Sequence, residues 1–316
     1  MKALITGVPG FAGSHLAENL LGHNYEVYGT HLPGESLRNL HGFRGELELS
    51  AMDFHKPERI PGLLKKIEPD YIFHLAALPS VAGSFLDPLE TYTVNFMGSF
   101  HLMQAALDLK QLKKLIIISS SDIYGLVKQK DLPIKIEHPL QPVSPYAVSK
   151  ATCDMMGYQY FINYGLPVVR IRAFSHSGPR QARGFVIPDF SFQIAQLEKF
   201  RKRRRVIRVG NLNARRDISD VRDIANGYRL AAEKGKPGEV YQLCSGKAYA
   251  ISTILKKLIK LSHHKIEIET DPKLSRPTDI PVLKGDASKA EKSLGYKRKY
   301  SIDDTLRDCL DYYRSL

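Results

Sequence analysis

Two segments near the middle of the chain carry residues whose types and spacing suit proton transfer. The first is Ser119-Ser120-Ser121-Asp122-Ile123-Tyr124-Gly125, and the second is Ser144-Pro145-Tyr146-Ala147-Val148-Ser149-Lys150. Tyr146 and Lys150 are four residues apart, so on a helix their side chains leave the same face. An ammonium so placed lowers the pKa of the phenol, and a hydroxyl from a nearby strand end orients a carbonyl oxygen against it. The chemistry is interconversion of a ketone and a secondary alcohol. Tyr146 is the proton donor, Lys150 the group that depresses its pKa, and Ser120 the second hydrogen bond to the reacting oxygen. A Tyr-x-x-x-Lys pair alone arises by chance in many helices, so its weight depends on what else the chain positions around it.

The first such element is at the start. Lys2-Ala-Leu-Ile-Thr reads as a short strand and runs into Gly7-Val-Pro-Gly10-Phe11-Ala-Gly13, followed by an amphipathic stretch. Strand, glycine turn and helix is the context in which backbone approaches a pyrophosphate at a helix N-terminus. The spacing is Gly-x-x-Gly-x-x-Gly.

Apolar runs recur at Ala3–Thr6, Glu26–Thr30, Leu47–Met52, Tyr71–Ala76, Leu115–Ser119, Val168–Ala173 and Val240–Cys244. Helical periodicity lies between them at Ser14–Leu21, Pro57–Lys66, Leu89–Leu109 and Ser144–Tyr164. Strand alternating with helix predicts an α/β fold, a Rossmann-type doubly wound parallel sheet, with ligands at the carboxyl ends of the strands. The alternation stops from Phe174 to Arg216, and after Ser245 the chain is Lys-rich and punctuated by Pro. The expected division is a dinucleotide-binding domain at 1–173 and 217–245, with a smaller, mainly C-terminal substrate-binding region at 174–216 and 246–316.

Three scattered cysteines, Cys153, Cys244 and Cys309, have no metal-ligand spacing, so neither a metal site nor a disulfide is expected. No apolar run is long enough to span a membrane, and no signal peptide is read in the first thirty residues, which predicts a cytoplasmic protein. The net charge of +13 and the run Lys199-Phe-Arg-Lys-Arg-Arg-Arg205 favour anionic partners. Phe200 is the one aromatic within that run, so nucleic acid is not the expected ligand. A solvated basic surface that steers diphosphates is.

With the glycine turn, Ser120, Tyr146 and Lys150 in this order, the chain resembles the extended class of the short-chain dehydrogenase/reductase superfamily. The resemblance implies a nicotinamide cofactor held by Gly7, Gly10, Phe11, Gly13, His31, Asp53, Phe54, Leu75, Ala76, Ala77 and Asn95, together with Tyr146 and Lys150. Asp53 takes the place of a carboxylate that contacts adenine, and His74-Leu75-Ala76-Ala77 lines the cofactor. The strand Glu26–Thr30 ends at His31, where NAD-binding relatives carry an acid for the ribose hydroxyls. Such an acid repels a 2′-phosphate, so its absence, with His31 and Arg38 nearby, favours NADP(H), with NAD(H) as the alternative.

The second half resembles GDP-sugar members of this class, the GDP-mannose 4,6-dehydratases and GDP-4-keto-6-deoxy-D-mannose reductases. The segments are Arg172-Ala-Phe-Ser175-His-Ser-Gly-Pro-Arg180-Gln, Gly184-Phe-Val186-Ile-Pro-Asp-Phe190, Val209-Gly-Asn211-Leu-Asn-Ala-Arg215-Arg216-Asp217-Ile-Ser-Asp220-Val-Arg-Asp223 and Ser275-Arg276-Pro277. By that resemblance Arg216 and Arg276 clamp a diphosphate, Asn211 lies near the guanosine, and Ser175, Arg180 and Val186 complete the sugar-nucleotide site. Ser175 stands where the family usually has Asn. Asp122 stands where dehydratases carry a Glu that removes the C5 proton, and it is shorter by one methylene, about 1.5 Å, a distance to which catalytic geometry is sensitive. Hence the expected activity is NADPH-dependent reduction of the C4 ketone of GDP-4-keto-6-deoxy-D-mannose to GDP-D-rhamnose. The alternative is a GDP-mannose 4,6-dehydratase or a related nucleotide-sugar epimerase/dehydratase. A non-catalytic nucleotide-binding protein on this fold has little need of the Ser-Tyr-Lys set. The resemblance also implies a homodimer, with Met97, Met103, Met155 and Tyr158 on the outer faces of two long helices.

Overall fold

The computed structural model describes residues 1–199, 204–274 and 280–316. Seven apolar runs become seven strands of one sheet: β1 (Lys2–Thr6), β2 (Glu26–His31), β3 (Leu47–Ala51), β4 (Tyr71–His74), β5 (Lys114–Ser120), β6 (Val168–Ala173) and β7 (Val240–Leu243). Their order across the sheet is β7-β6-β5-β4-β1-β2-β3, and every neighbouring pair is parallel. β4, β7 and most of β1 and β5 are buried, as expected for strands covered by helices on both faces. The chain builds β1 to β3 outward in one direction and then crosses back to β4. The reversal opens a crevice at the carboxyl ends of β1 and β4, the place where doubly wound sheets hold ligands.

Two hydrophobic clusters cover the two faces. One gathers Ile5, Leu16, Phe73, Ile116, Ile171 and Tyr228, and the other gathers Leu4, Ile72, Leu102, Leu115 and Val168. A third cluster lies apart from the sheet and is built from the helices Val186–Lys199, Ile251–Lys260 and Ile302–Ser315 with Ile207, Val209 and Ile218. One segment departs from the expected division. Ile280, Leu283, Ala290, Leu294 and Tyr296 follow residue 246, yet they pack into the first sheet-facing cluster.

Local signals account for the helix that matters most, Pro145–Tyr164. Ser144 has extended backbone and its Oγ accepts from the Ala147 N–H at 3.1 Å, Pro145 occupies the first turn, and Gly165 closes the helix in the left-handed region. The first helix starts at Phe11, earlier than periodicity alone places it, because Gly10 is its N-cap. The stretch expected as one helix over Leu89–Leu109 is Pro88–Tyr92, a π-helical turn at Thr93–Met97, and Gly98–Ala106. The π turn puts Asn95 into the interior. Met103, expected on an outer face, is fully buried in the second cluster, because Gly98–Ala106 turns that side to the sheet.

Candidate active site

Ser120 ends β5, and its hydroxyl oxygen accepts from the Asp122 backbone N–H at 3.1 Å, capping the short turn Ser121–Tyr124. Next to it, the Ser119 hydroxyl donates to the Lys150 carbonyl at 3.1 Å, tying the strand end to the long helix. Tyr146 and Lys150 therefore face the carboxyl end of β5. Burial and then the Asp122 carboxylate push the Tyr146 phenol above its ordinary value, while a hydrogen bond with Ser120 pulls it back. The Lys150 ammonium is itself pushed down by burial, and its Nζ donates to the Ile118 carbonyl at 2.9 Å. The result is a phenol that keeps its proton at neutral pH, hydrogen-bonded to a serine hydroxyl and facing a carboxylate.

The crevice beside this cluster fits a dinucleotide. Gly7 has φ +70°, and a Cβ there would lie 2.9 Å from Ala76 Cα; one on Gly13 would lie 2.5 Å from the Gly7 carbonyl. Backbone thus lines a cradle that any side chain would fill. Thr6 Oγ1 accepts from the Leu75 and Ala76 N–H groups, each at 3.1 Å, so its own hydrogen goes to His74 Nδ1 at 2.8 Å. That fixes the His74 tautomer: Nε2–H donates to Ser99 Oγ at 3.0 Å, and Ser99 passes its hydrogen to the Asn95 carbonyl at 2.6 Å. Burial pushes the His74 imidazole down to about 3, so it stays neutral.

Asn95, expected against the cofactor, is instead a clamp. Its Oδ1 accepts from the Leu78 N–H at 2.7 Å, and its Nδ2 donates to Ser149 Oγ and the Leu78 carbonyl at 3.0 and 3.2 Å. It fixes the loop carrying Leu75, Ala76 and Ala77 to the helix carrying Tyr146. Phe54 is buried against Gly98 and the His74 ring. Asp53 follows β3, and its Oδ1 accepts from both the backbone N–H and the Nδ1 of His55, which hold the carboxyl below its usual range. His31 ends β2 with Nδ1 donating to the Leu32 carbonyl at 2.8 Å. An acid returns to this strand end that the strand pattern did not reveal: the Glu35 carboxylate accepts from the Leu32 N–H at 2.9 Å.

A family profile described as GDP-mannose 4,6 dehydratase matches residues 4–309. The chain belongs to this family. It is 30% identical over 314 residues to the GDP-6-deoxy-D-mannose reductase of Pseudomonas aeruginosa, a match covering 99% of this chain and 97% of the relative. It is 27% identical to the GDP-mannose 4,6-dehydratase of Vibrio cholerae, over 96% of this chain and 91% of the relative. The structure of RMD from Pseudomonas aeruginosa complexed with NADPH superposes with a TM-score of 0.85 at 29% identity and covers 99% of both chains. The fold and the enzyme class are those of the extended short-chain dehydrogenase/reductases.

The residues assigned to the substrate by likeness to GDP-mannose 4,6-dehydratase family members fall in three places. Ser175 follows β6 and its carbonyl accepts from the Ser219 N–H at 2.9 Å, while Val186 opens the helix Val186–Lys199. Asn211 and Arg216 lie on the third-cluster side. Asn211 Oδ1 accepts from the Asn213 N–H at 2.9 Å, and Arg216 Nη1 donates to the Ile280 carbonyl at 2.6 Å. Arg276 and residues 200–203 of the basic run lie outside the described residues.

Arg180 is not with the others. It sits against the first helix at φ +70°, its guanidinium on Glu18 at 2.5 Å and on the His15 ring. Burial and then Arg180 push the His15 imidazole down to about 4. Sequence reasoning missed His176, whose ring stacks on Phe11 with centroids 5.8 Å apart and whose Nδ1 donates to the Phe174 carbonyl at 3.0 Å. The pair joins the glycine turn to the segment after β6, a contact between residues far apart in sequence that no local pattern announces. Among the described residues no group of three His, Cys, Asp or Glu side chains could hold a metal, and no helix is long and apolar enough to cross a membrane.

Proposed function

We propose that this protein is the reductase of the pair: it reduces the C4 ketone of GDP-4-keto-6-deoxy-D-mannose with NADPH and yields GDP-D-rhamnose. The observation that carries this reading is Asp122, shorter by one methylene than the Glu of dehydratases, on the turn that Ser120 caps. A dehydratase needs a base there that reaches the C5 proton, whereas a reductase needs only an acid for the forming alkoxide, which Tyr146 supplies. The bound nicotinamide supplies the hydride. Tyr146 gives its proton to the C4 oxygen, and Ser120, whose oxygen already accepts from Asp122 N–H, has its hydrogen left for the same oxygen or the phenol. Lys150, fixed by the Ile118 carbonyl, is assigned to the nicotinamide ribose.

Asp122 discriminates between the two activities. A reductase removes no C5 proton, so Asp122→Asn should keep ketone reduction within about tenfold of wild type, the small end of general acid–base effects. A variant that instead accumulates NADPH from GDP-mannose, while the wild type releases the 4-keto-6-deoxy sugar, would establish the dehydratase.

On this reading NADPH binds more tightly than NADH through His31 and Arg38, with Glu35 at the same strand end opposing them. Titration that finds NADH tighter by tenfold, about 1.4 kcal/mol, contradicts that assignment. The exposed apolar side chains Leu86, Leu89, Met97, Val148, Met155 and Ile162 gather on Pro88–Met97, its flank and the outer face of Pro145–Tyr164. They suit a two-fold contact between copies. Sedimentation at micromolar concentration should show a dimer, and a strict monomer would refute it. The cytoplasm is the assigned compartment, supported by three buried, unpaired cysteines.

A further inference from the structure

Beneath the proton-transfer cluster lies a buried ionic network that touches none of the reacting atoms. Asp154 is on the catalytic helix, four residues after Lys150 and eight after Tyr146, and is 1% exposed. Arg172 is the penultimate residue of β6, directly beside Ser119 of β5. Its guanidinium forks onto Asp154, Nε to Oδ2 at 2.9 Å and Nη2 to Oδ1 at 3.1 Å, and Arg170 adds Nη1 to Oδ1 at 3.0 Å. The remaining nitrogen, Nη1, reaches the Tyr124 phenol oxygen and the Ile136 carbonyl, each at 2.8 Å. Tyr124 in turn donates to the Gln242 side-chain oxygen at 2.7 Å, with the Gln242 amide nitrogen on the Ile134 and Asp286 carbonyls.

One planar cation therefore grips both halves of the site. Through Asp154 it fixes the rotation of the helix that bears Tyr146, and through Tyr124 it fixes the turn that bears Asp122 and is capped by Ser120. Stability alone is a poor reason for such a network, because a buried ion pair replaced by apolar side chains of equal volume is often no less stable. Geometry is a better one, since a guanidinium presents donors in fixed directions and a lysine does not.

We propose that Arg172 is a positioning residue that, with Asp154 and Tyr124, holds the helix bearing Tyr146 in register with the turn bearing Asp122 and so places the phenol for proton transfer. The proposal rests on Tyr146 being the proton donor. Asp122 stands on the turn that Arg172 holds through Tyr124.

The test compares Arg172→Lys with wild type in ketone reduction with NADPH, or in whichever direction the wild type turns over. The expected result is a kcat lower by about tenfold or more with KM for both ligands within about twofold, because the phenol is displaced and binding is not. Unchanged kcat in a folded variant overturns the proposal, even if the melting temperature falls. Should Arg172→Lys fail to fold, Tyr124→Phe keeps the Arg172–Asp154 fork and removes the links to the turn and to Gln242. It should show the same split of kcat from KM, and a wild-type kcat overturns the proposal. Tyr146→Phe separates the two levels: an active Tyr146→Phe enzyme defeats the functional reading, whereas an inactive one beside an unaffected Arg172→Lys defeats this inference alone.

Discussion

Tyr146→Phe should lower turnover by about two orders of magnitude or more and leave nucleotide affinity at the wild-type level. The substitution removes one hydroxyl and little volume, so the helix Pro145–Tyr164, capped by Ser144 and tied to β5 through Ser119, has no reason to shift. What is lost is the acidic proton. Ser120 still has a hydrogen to offer the ketone oxygen, but a serine hydroxyl is too weak an acid to replace a phenol. Steady-state rates with equilibrium titration of the cofactor measure both quantities, and near wild-type turnover would remove Tyr146 from the chemistry.

Gly7→Ala should damage the cofactor site almost as severely by a different route. The residue has φ +70°, where an L side chain costs on the order of 1–3 kcal/mol. The new methyl would also lie 2.9 Å from Ala76 Cα and 3.1 Å from Ala76 N, both backbone atoms that cannot rotate away. Either the turn after β1 or the loop after β4 must move, and the crevice between them is where the dinucleotide fits. Cofactor affinity should fall by about tenfold or more, with a lower unfolding temperature. Wild-type affinity in a titration would show that the crevice is more tolerant than its contacts imply.

The sheet was legible because parallel strands buried on both faces read as apolar runs, and all seven runs entered one sheet. The glycine turn and the Ser120–Tyr146–Lys150 set were legible for the same reason: their spacing within one strand–turn–helix unit, or along one helix, is local. What escaped depends on contacts between distant segments. Nothing near Asn95 announces the π turn that sends it inward to Leu78 and Ser149. The resemblance implies Arg180 as a substrate ligand, while its guanidinium meets Glu18 and His15, some 160 residues earlier. The helices of the third cluster were not anticipated, since their apolar faces meet each other rather than the sheet strands that set the pattern.

The most direct measurement follows the nicotinamide absorbance and the sugar product with the wild-type protein in two parallel reactions. With GDP-4-keto-6-deoxy-D-mannose and NADPH, the reductase assignment predicts stoichiometric NADPH oxidation and a GDP-6-deoxyhexose with the configuration of D-rhamnose, and with GDP-mannose and NADP no reaction. Conversion of GDP-mannose to its 4-keto-6-deoxy derivative without net change in the cofactor, and no oxidation of NADPH by the keto sugar, would contradict it.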